Sequence, residues 1–264
     1  MKLQQQFKKG INKIATSIET ILVPMADGGE GTVQSLVDAT GGTIIELSVH
    51  DPLFREIKSF YGMLGDGTTA AIEMAAASGL PLLKPEERNP LKTTSFGAGE
   101  LIKDAINRGC KEIILGLGGS ATNDGGIGMA QALGVRFHDE QGIEVGSGGG
   151  ELMKIKTVDY SGIDPRLCDV TFIAACDVDN PLCGIEGASE VYGRQKGASD
   201  ADVKNLDKNL AHLVEIMNNQ HGIDKRWNPG AGAAGGLGFG VMTFLKGKLE
   251  RGIEIVARIT MLAE

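Results

Sequence analysis

The sequence is poor in the residues that mark redox, zinc or membrane chemistry. Its four cysteines, Cys110, Cys168, Cys176 and Cys183, include no Cys-x-x-Cys pair and no histidine partner at zinc-ligand spacing, so neither a zinc ribbon nor a paired redox site is expected. They read as reduced thiols of a cytoplasmic protein. Cys176 closes the apolar run Val170–Cys176 and reads as a buried strand cysteine rather than a nucleophile. His50, His138, His212 and His221 are scattered and read as surface or packing residues. No stretch reaches membrane-spanning length, and the basic, glutamine-rich start lacks the apolar core of a secretory signal. No lysine or arginine run forms a stripe, and the net charge is −8. Composition therefore argues against nucleic acid and membrane partners, while an anionic nucleotide can still be held by local N–H groups, a few basic side chains and a cation.

What the chain does have is glycine: 39 in 264 residues, about twice the usual ~7% share. They cluster in loops, which implies many tight turns and close approaches of backbone to ligand. Strand-like and helix-like runs alternate along nearly the whole length, the mark of an α/β protein with largely parallel sheets. Strands are expected at residues 20–23, 43–49, 112–117 and 170–176. Helices are expected after residue 32 with Gly41–Gly42 as the stop, from Ser95 as N-cap to Gly109, over 127–133, over 237–245, and over about 200–220, where Val203, Leu206, Leu210, Leu213 and Met217 share one face.

The most informative loop is Gly118-Gly-Ser-Ala-Thr-Asn-Asp-Gly-Gly126, set between the strand-like run from Glu112 and the helix-like run from Ile127. Glycines let the backbone turn sharply, and the helix start offers unpaired N–H groups and a positive dipole end to an anion. Further blocks follow in order: Pro24–Thr32, Ile72–Leu80, Thr94–Ile102, Ala175–Leu182, Gly187–Ala198 and Pro229–Gly238. Together they resemble the bacterial-type glycerate kinases (glycerate kinase type 1 family). The resemblance implies an α/β, two-domain glycerate kinase type I fold: a Rossmann-like first domain, incomplete here, and an inserted α/β domain. It implies a division at 1–65, a partial Rossmann-like remnant, and 66–264, the inserted domain with the start of the return. The family's first strand and its loop are expected before this chain's first residues, and further segments after Glu264. Arg194 stands where the family usually has proline. The implied activity is ATP-dependent phosphorylation of D-glycerate to 2-phosphoglycerate, or to 3-phosphoglycerate, with Mg2+. The alternative is a catalytically impaired fragment that still binds ligand. A small-molecule substrate and a nucleotide are the implied partners, with homo-oligomerisation left open.

Phosphoryl transfer needs positioning and neutralisation of phosphate charge, with a carboxylate near the attacking hydroxyl. Asp124 and Lys196 are the candidate catalytic residues; the alternative for Asp124 is a helix cap in an Asn-Asp-Gly-Gly turn, which would not require the flanking glycines and hydroxyls. Ser120, Thr122, Asn123 and Glu73 are the candidate substrate contacts, with Glu73 also open to an inward capping role. Gly118, Gly119, Gly125, Gly126, Gly232 and Gly235 are candidates for nucleotide contact. Asp27 and Asp177 are candidate metal ligands, against a capping box of Asp27 with Glu30 and an Asx-turn at Asp177. Gly230–Gly236 spells Gly-x-Gly-x-x-Gly, but Arg226–Pro229 before it is no buried strand, so a dinucleotide oxidoreductase is disfavoured. If the ends are incomplete, the apolar stripe of the helix after residue 32 is expected to lie uncovered.

Overall fold

A computed structural model of the chain describes residues 2–14, 29 and 31–260. In chain order the elements are α1 (Lys2–Ile14), α2 (Thr32–Thr40), β1 (Thr43–His50), β2 (Glu56–Met63), β3 (Thr69–Glu73), α3 (Ala75–Ser78), α4 (Phe96–Asn107), β4 (Glu112–Gly116), α5 (Ile127–Ala132), β5 (Arg136–His138), β6 (Thr157–Asp159), β7 (Thr171–Ala175), α6 (Ala188–Tyr192), α7 (Asp200–His221), α8 (Ala233–Phe244), β8 (Lys248–Glu250) and α9 (Gly252–Ile259). The strand expected at 20–23 lies outside the described residues, as do Asp27 and Glu30.

A six-stranded sheet in the order β1-β2-β3-β4-β7-β8 organises the molecule. β1, β2 and β3 pair antiparallel, and β3, β4, β7 and β8 run parallel, with Ile72 opposite Leu115 and Ile114 opposite Ile173. All five residues of β3 are buried, and four of five in β4 and in β7. That is the pattern of strands covered on both faces. One face packs Ile72, Ile113, Leu115 and Phe172 against Leu101, Ile102 and Ile106 of α4 and Leu237 and Val241 of α8. The other packs Ala71, Ile114 and Ile173 against Val33, Leu36 and Val37 of α2 and Ile255 and Val256 of α9. The stripe of α2 is therefore covered, contrary to expectation, because α9 returns the chain to that face. The division expected at residue 65 falls in the turn between β2 and β3, held by Gly67 N–H donating to the Leu64 carbonyl (2.9 Å), within one continuous sheet.

The long helix forms where its apolar period placed it. Ser199 accepts from Asp202 N–H while Asp202 accepts from Ser199 N–H, a capping box at its start, and Gly222 at φ 67° ends it. Its Leu210, Leu213, Val214 and Met217 join a second core with Phe137, Leu152 and Phe239, beside the small two-stranded antiparallel sheet of β5 and β6.

Candidate functional site

The parallel strands β3, β4, β7 and β8 all end at one rim, where ligands bind in open α/β sheets. A cleft of about 270 Å³ opens there. Leu117, Gly118, Gly119 and Ser120 after β4 form one side, and Cys176, Asp177 and Val178 after β7 another, with Tyr192, Gln195 and Lys196, the turn Ala233–Ala234, Leu80 and Gly29 closing it. Gly119 sits at φ 74° with a would-be Cβ 3.2 Å from Ala75, a conformation that favours glycine.

Lys196 lies in the short 3-10 turn Arg194–Lys196 after α6 and is only 2% exposed. Its Nζ donates to Ser120 Oγ (2.7 Å) and to the Thr122 carbonyl (2.7 Å). An ammonium has a third proton to give, and Lys196 lines the cleft. Burial lowers its pKa from the usual lysine value to about 7, with the carboxylate of Asp124 pulling the other way. A phosphate arriving in the cleft would favour the charged form in the same manner.

Asp124 has a different place. It is fully buried and is not among the residues lining the cleft. Oδ2 accepts from Ser95 N–H (2.8 Å), Ser95 Oγ (2.9 Å) and Gly128 N–H (3.4 Å), and Oδ1 from Gly126 N–H (3.1 Å). Desolvation raises its pKa, and these donors, led by Ser95, oppose the rise. Four donors, from Ser95, Gly126 and Gly128, converge on this carboxylate, so Asp124 ties the starts of α4 and α5 together. Ser95, expected to cap its own helix, instead accepts from Met129 N–H (3.0 Å) through Oγ and makes no side-chain cap on α4. Its hydroxyl proton goes to Asp124 Oδ2 (2.9 Å).

The other expected residues divide in the same way. Asn123 and Thr122 are fully buried; Asn123 Nδ2 donates to Ser189 Oγ (3.0 Å), and Thr122 contributes its carbonyl to Lys196. Gly125, Gly126, Gly232 and Gly235 serve backbone packing. A Cβ on Gly235 would lie 1.9 Å from the Thr122 carbonyl oxygen, and one on Gly126 would lie 3.0 Å from Gly240 Cα. Gly125 N–H donates to the Gly235 carbonyl (3.1 Å), so the two glycine-rich loops are joined directly. Glu73 Oε1 accepts from Val33 N–H (2.9 Å) in the first turn of α2, a cap on a distant helix rather than on its own. Asp177 lines the cleft, and its Oδ1 accepts from Gly252 N–H (3.1 Å) at the start of α9. Arg194 is paired on the surface with Asp200 (2.8 Å) and Glu190 (3.4 Å), away from the cleft.

Cys176 is only partly buried and lines the cleft, which its strand position did not foretell. Its thiol donates to the Val178 carbonyl (3.2 Å), and burial raises its pKa, keeping it a thiol rather than a nucleophilic thiolate. Tyr192 and Gln195 were missed as lining residues although they stand in the Gly187–Ala198 block. Tyr192 OH donates to Asn180 Oδ1 (2.8 Å), and Asn180 accepts from Gly232 N–H through its carbonyl (2.9 Å), linking three walls. Ala234, a non-glycine residue at φ 53°, begins a left-handed turn through Gly235 and Gly236. Among the described residues, no three His, Cys, Asp or Glu side chains gather closely enough to hold a metal.

The fold is that of an α/β protein, with a buried lysine among glycine backbone at the ends of its parallel strands, an arrangement chemically able to hold a small anion. The sequence profile of the glycerate kinase family matches residues 1–264. Glycerate kinase of Haemophilus influenzae is 53% identical over 95% of this chain and 70% of its own length. Glycerate kinase of Bacillus subtilis is 51% identical over 96% and 66%, and glycerate 2-kinase of Escherichia coli 50% identical over 98% and 68%. The crystal structure of a protein assigned as glycerate kinase 2 from Salmonella typhimurium LT2 superposes with a TM-score of 0.95 at 45% identity, covering 98% of this chain and 70% of that one. The chain thus belongs to the glycerate kinase family, a family of phosphate-transferring enzymes, and spans about two thirds of the length of these relatives.

Proposed function

We propose that this chain carries the phosphoryl-transfer site of an ATP-dependent kinase that phosphorylates D-glycerate at the 2-hydroxyl. The observation that carries the reading is Lys196, buried at the cleft with two of its protons directed to Ser120 and the Thr122 carbonyl. Its remaining proton would meet a phosphate oxygen, and charge developing there in the transition state would be stabilised most in a water-poor site. Gly118 and Gly119 let the backbone approach the same phosphate. The name of the Escherichia coli relative supports the 2-position over the 3-position.

Asp177 is the acidic side chain among the described residues that lines the cleft, and magnesium in kinase sites commonly takes one or two carboxylates plus the phosphates. The donor set fits that need, so Asp177 is assigned as the metal-side carboxylate; magnesium would supply charge neutralisation across the nucleotide phosphates. Asp124 is assigned as a positioning residue, which holds the loop bearing Ser120 and Thr122 in place. The described helices include none long and apolar enough to cross a membrane, which accords with a cytoplasmic location.

The test is a coupled ADP-release assay on this chain with ATP, Mg2+ and D-glycerate, with phosphorus NMR of the product. ADP release that depends on D-glycerate and yields 2-phosphoglycerate supports the reading. A 3-phosphoglycerate product overturns the regiochemistry, and calorimetric binding of ATP and glycerate without turnover establishes the impaired, ligand-binding alternative.

A further inference from the structure

A second cavity, of about 650 Å³, lies at the opposite end of the sheet, beside Thr171 and Phe172 at the start of β7 and Lys248 at the start of β8. Phe172 at this cavity and Ala175 at the cleft lie three strand steps apart along β7, roughly 10 Å at strand rise. Its floor is apolar: Leu167, Phe172 and Phe244 are buried and face one space with Ile163 and Ile223. Thr243 and Tyr160 also line it, Thr243 4% exposed and Tyr160 half-buried; their hydroxyl oxygens are closed off from solvent, so both residues add carbon surface to the floor.

The rim is cationic. Lys246 and Lys248 are exposed at the mouth with His221, and a shallower groove continues past them to Lys225. Lys246 is held at φ 53° by a turn in which Gly247 N–H donates to the Val241 carbonyl (3.0 Å). The acidic residue in the lining, Asp164, is already committed to Arg166 through Nε (3.0 Å) and the backbone N–H (3.0 Å). Aromatic edges complete the wall, with the Tyr160 ring 5.1 Å from His221 at 85° and 6.5 Å from Phe244 at 41°. In a chain of net charge −8, lysines grouped over an apolar floor are a local feature of opposite sign.

We infer that this cavity is a binding site for a flat aromatic anion, whose ring lies on Leu167, Phe172 and Phe244 and whose anionic group faces Lys246 and Lys248. The site is separate from the kinase cleft and does not depend on the substrate assigned there. The volume is in the range of small-molecule pockets, which are mostly apolar with a few convergent polar groups.

The probe is 1-anilinonaphthalene-8-sulfonate, an aromatic sulfonate whose fluorescence rises in apolar surroundings, titrated into the native chain with and without saturating ATP. One saturable site unaffected by ATP is expected. Lys246→Glu/Lys248→Glu should weaken it at least tenfold, while Lys204→Glu/Lys208→Glu on α7, the same charge change elsewhere, should leave it within twofold. The milder Lys248→Gln, checked by circular dichroism for an unchanged fold, should weaken it about threefold. Displacement of the probe by ATP, or equal losses from the two charge reversals, would overturn the inference by locating the probe in the cleft or reducing the effect to net charge.

Discussion

Within the single loop Gly118–Gly126, the first three residues line the cleft and the last three are buried behind it. Both arms look alike in sequence: glycine pairs beside small polar groups. The difference arises from what each arm meets. Gly118–Ser120 face open space and Lys196, whereas Asp124–Gly126 meet α4 and the Gly230–Gly236 turn at backbone distance. A glycine-rich signature can therefore divide between ligand approach and the close packing that holds the ligand arm still.

The sharpest way to break this division is to exchange the effects of Lys196 and Asp124. Lys196→Ala should lower kcat/KM about 10²- to 10³-fold, read in the ADP-release assay on enzyme of this family with full turnover, while changing KM for glycerate less. An effect under threefold would remove Lys196 from the site. Asp124→Ala should act on stability instead, costing about 2–4 kcal/mol in urea unfolding because buried donors lose their acceptor. Asp124→Asn, if it preserved stability but lowered kcat a hundredfold, would return Asp124 to the role of general base.

A smaller effect sharpens the packing side. Gly235→Ala demands a Cβ 1.9 Å from the Thr122 carbonyl at φ 68° and should cost about 2 kcal/mol. Because Thr122 also holds Lys196, activity should fall with stability; a neutral variant would show that the two glycine loops need not touch.

The charge state of Lys196 gives a pH signature. Its folded pKa of about 7 lies below the ordinary lysine value of 10.5, so between these limits the unfolded chain binds the extra proton. This group's contribution to stability then rises with pH from about 7 toward 10.5, by up to about 1.4 kcal/mol per unit, and Lys196→Met should flatten that slope in urea melts taken from pH 7 to 9. kcat/KM, which reads the free enzyme, should move oppositely, declining as Lys196 loses its ammonium proton above about pH 7.

The smallest expected change is Ala234→Gly. Relief of a left-handed alanine is worth about 1–2 kcal/mol and the added unfolded-state freedom of glycine costs about 0.5–1 kcal/mol, leaving a gain near 0.5 kcal/mol readable as a slightly higher Tm. A loss would mean that the strained turn is held by Cβ contacts at the cleft wall.

Much of the fold was legible in the sequence because it rests on local periodicity. The apolar spacing of Val203 to Met217 marks one face of a helix, Ser199 and Gly222 stop it at both ends, and the short β-branched apolar runs before Gly118 and Asp177 have the length and flanking turn residues of strands covered on both sides. The ordered glycine blocks likewise carried the family. The role of each polar residue was not legible, because it depends on partners far along the chain: Ser95 for Asp124, Val33 for Glu73, Gly252 for Asp177, Ser120 for Lys196. Burial and contact at a distance decide whether a carboxylate caps a helix or faces a ligand, and whether a lysine is a solvated surface charge or a desolvated one with a pKa near 7. Those quantities are set by tertiary packing, since desolvation is a property of everything that surrounds a group and not of its neighbours in sequence.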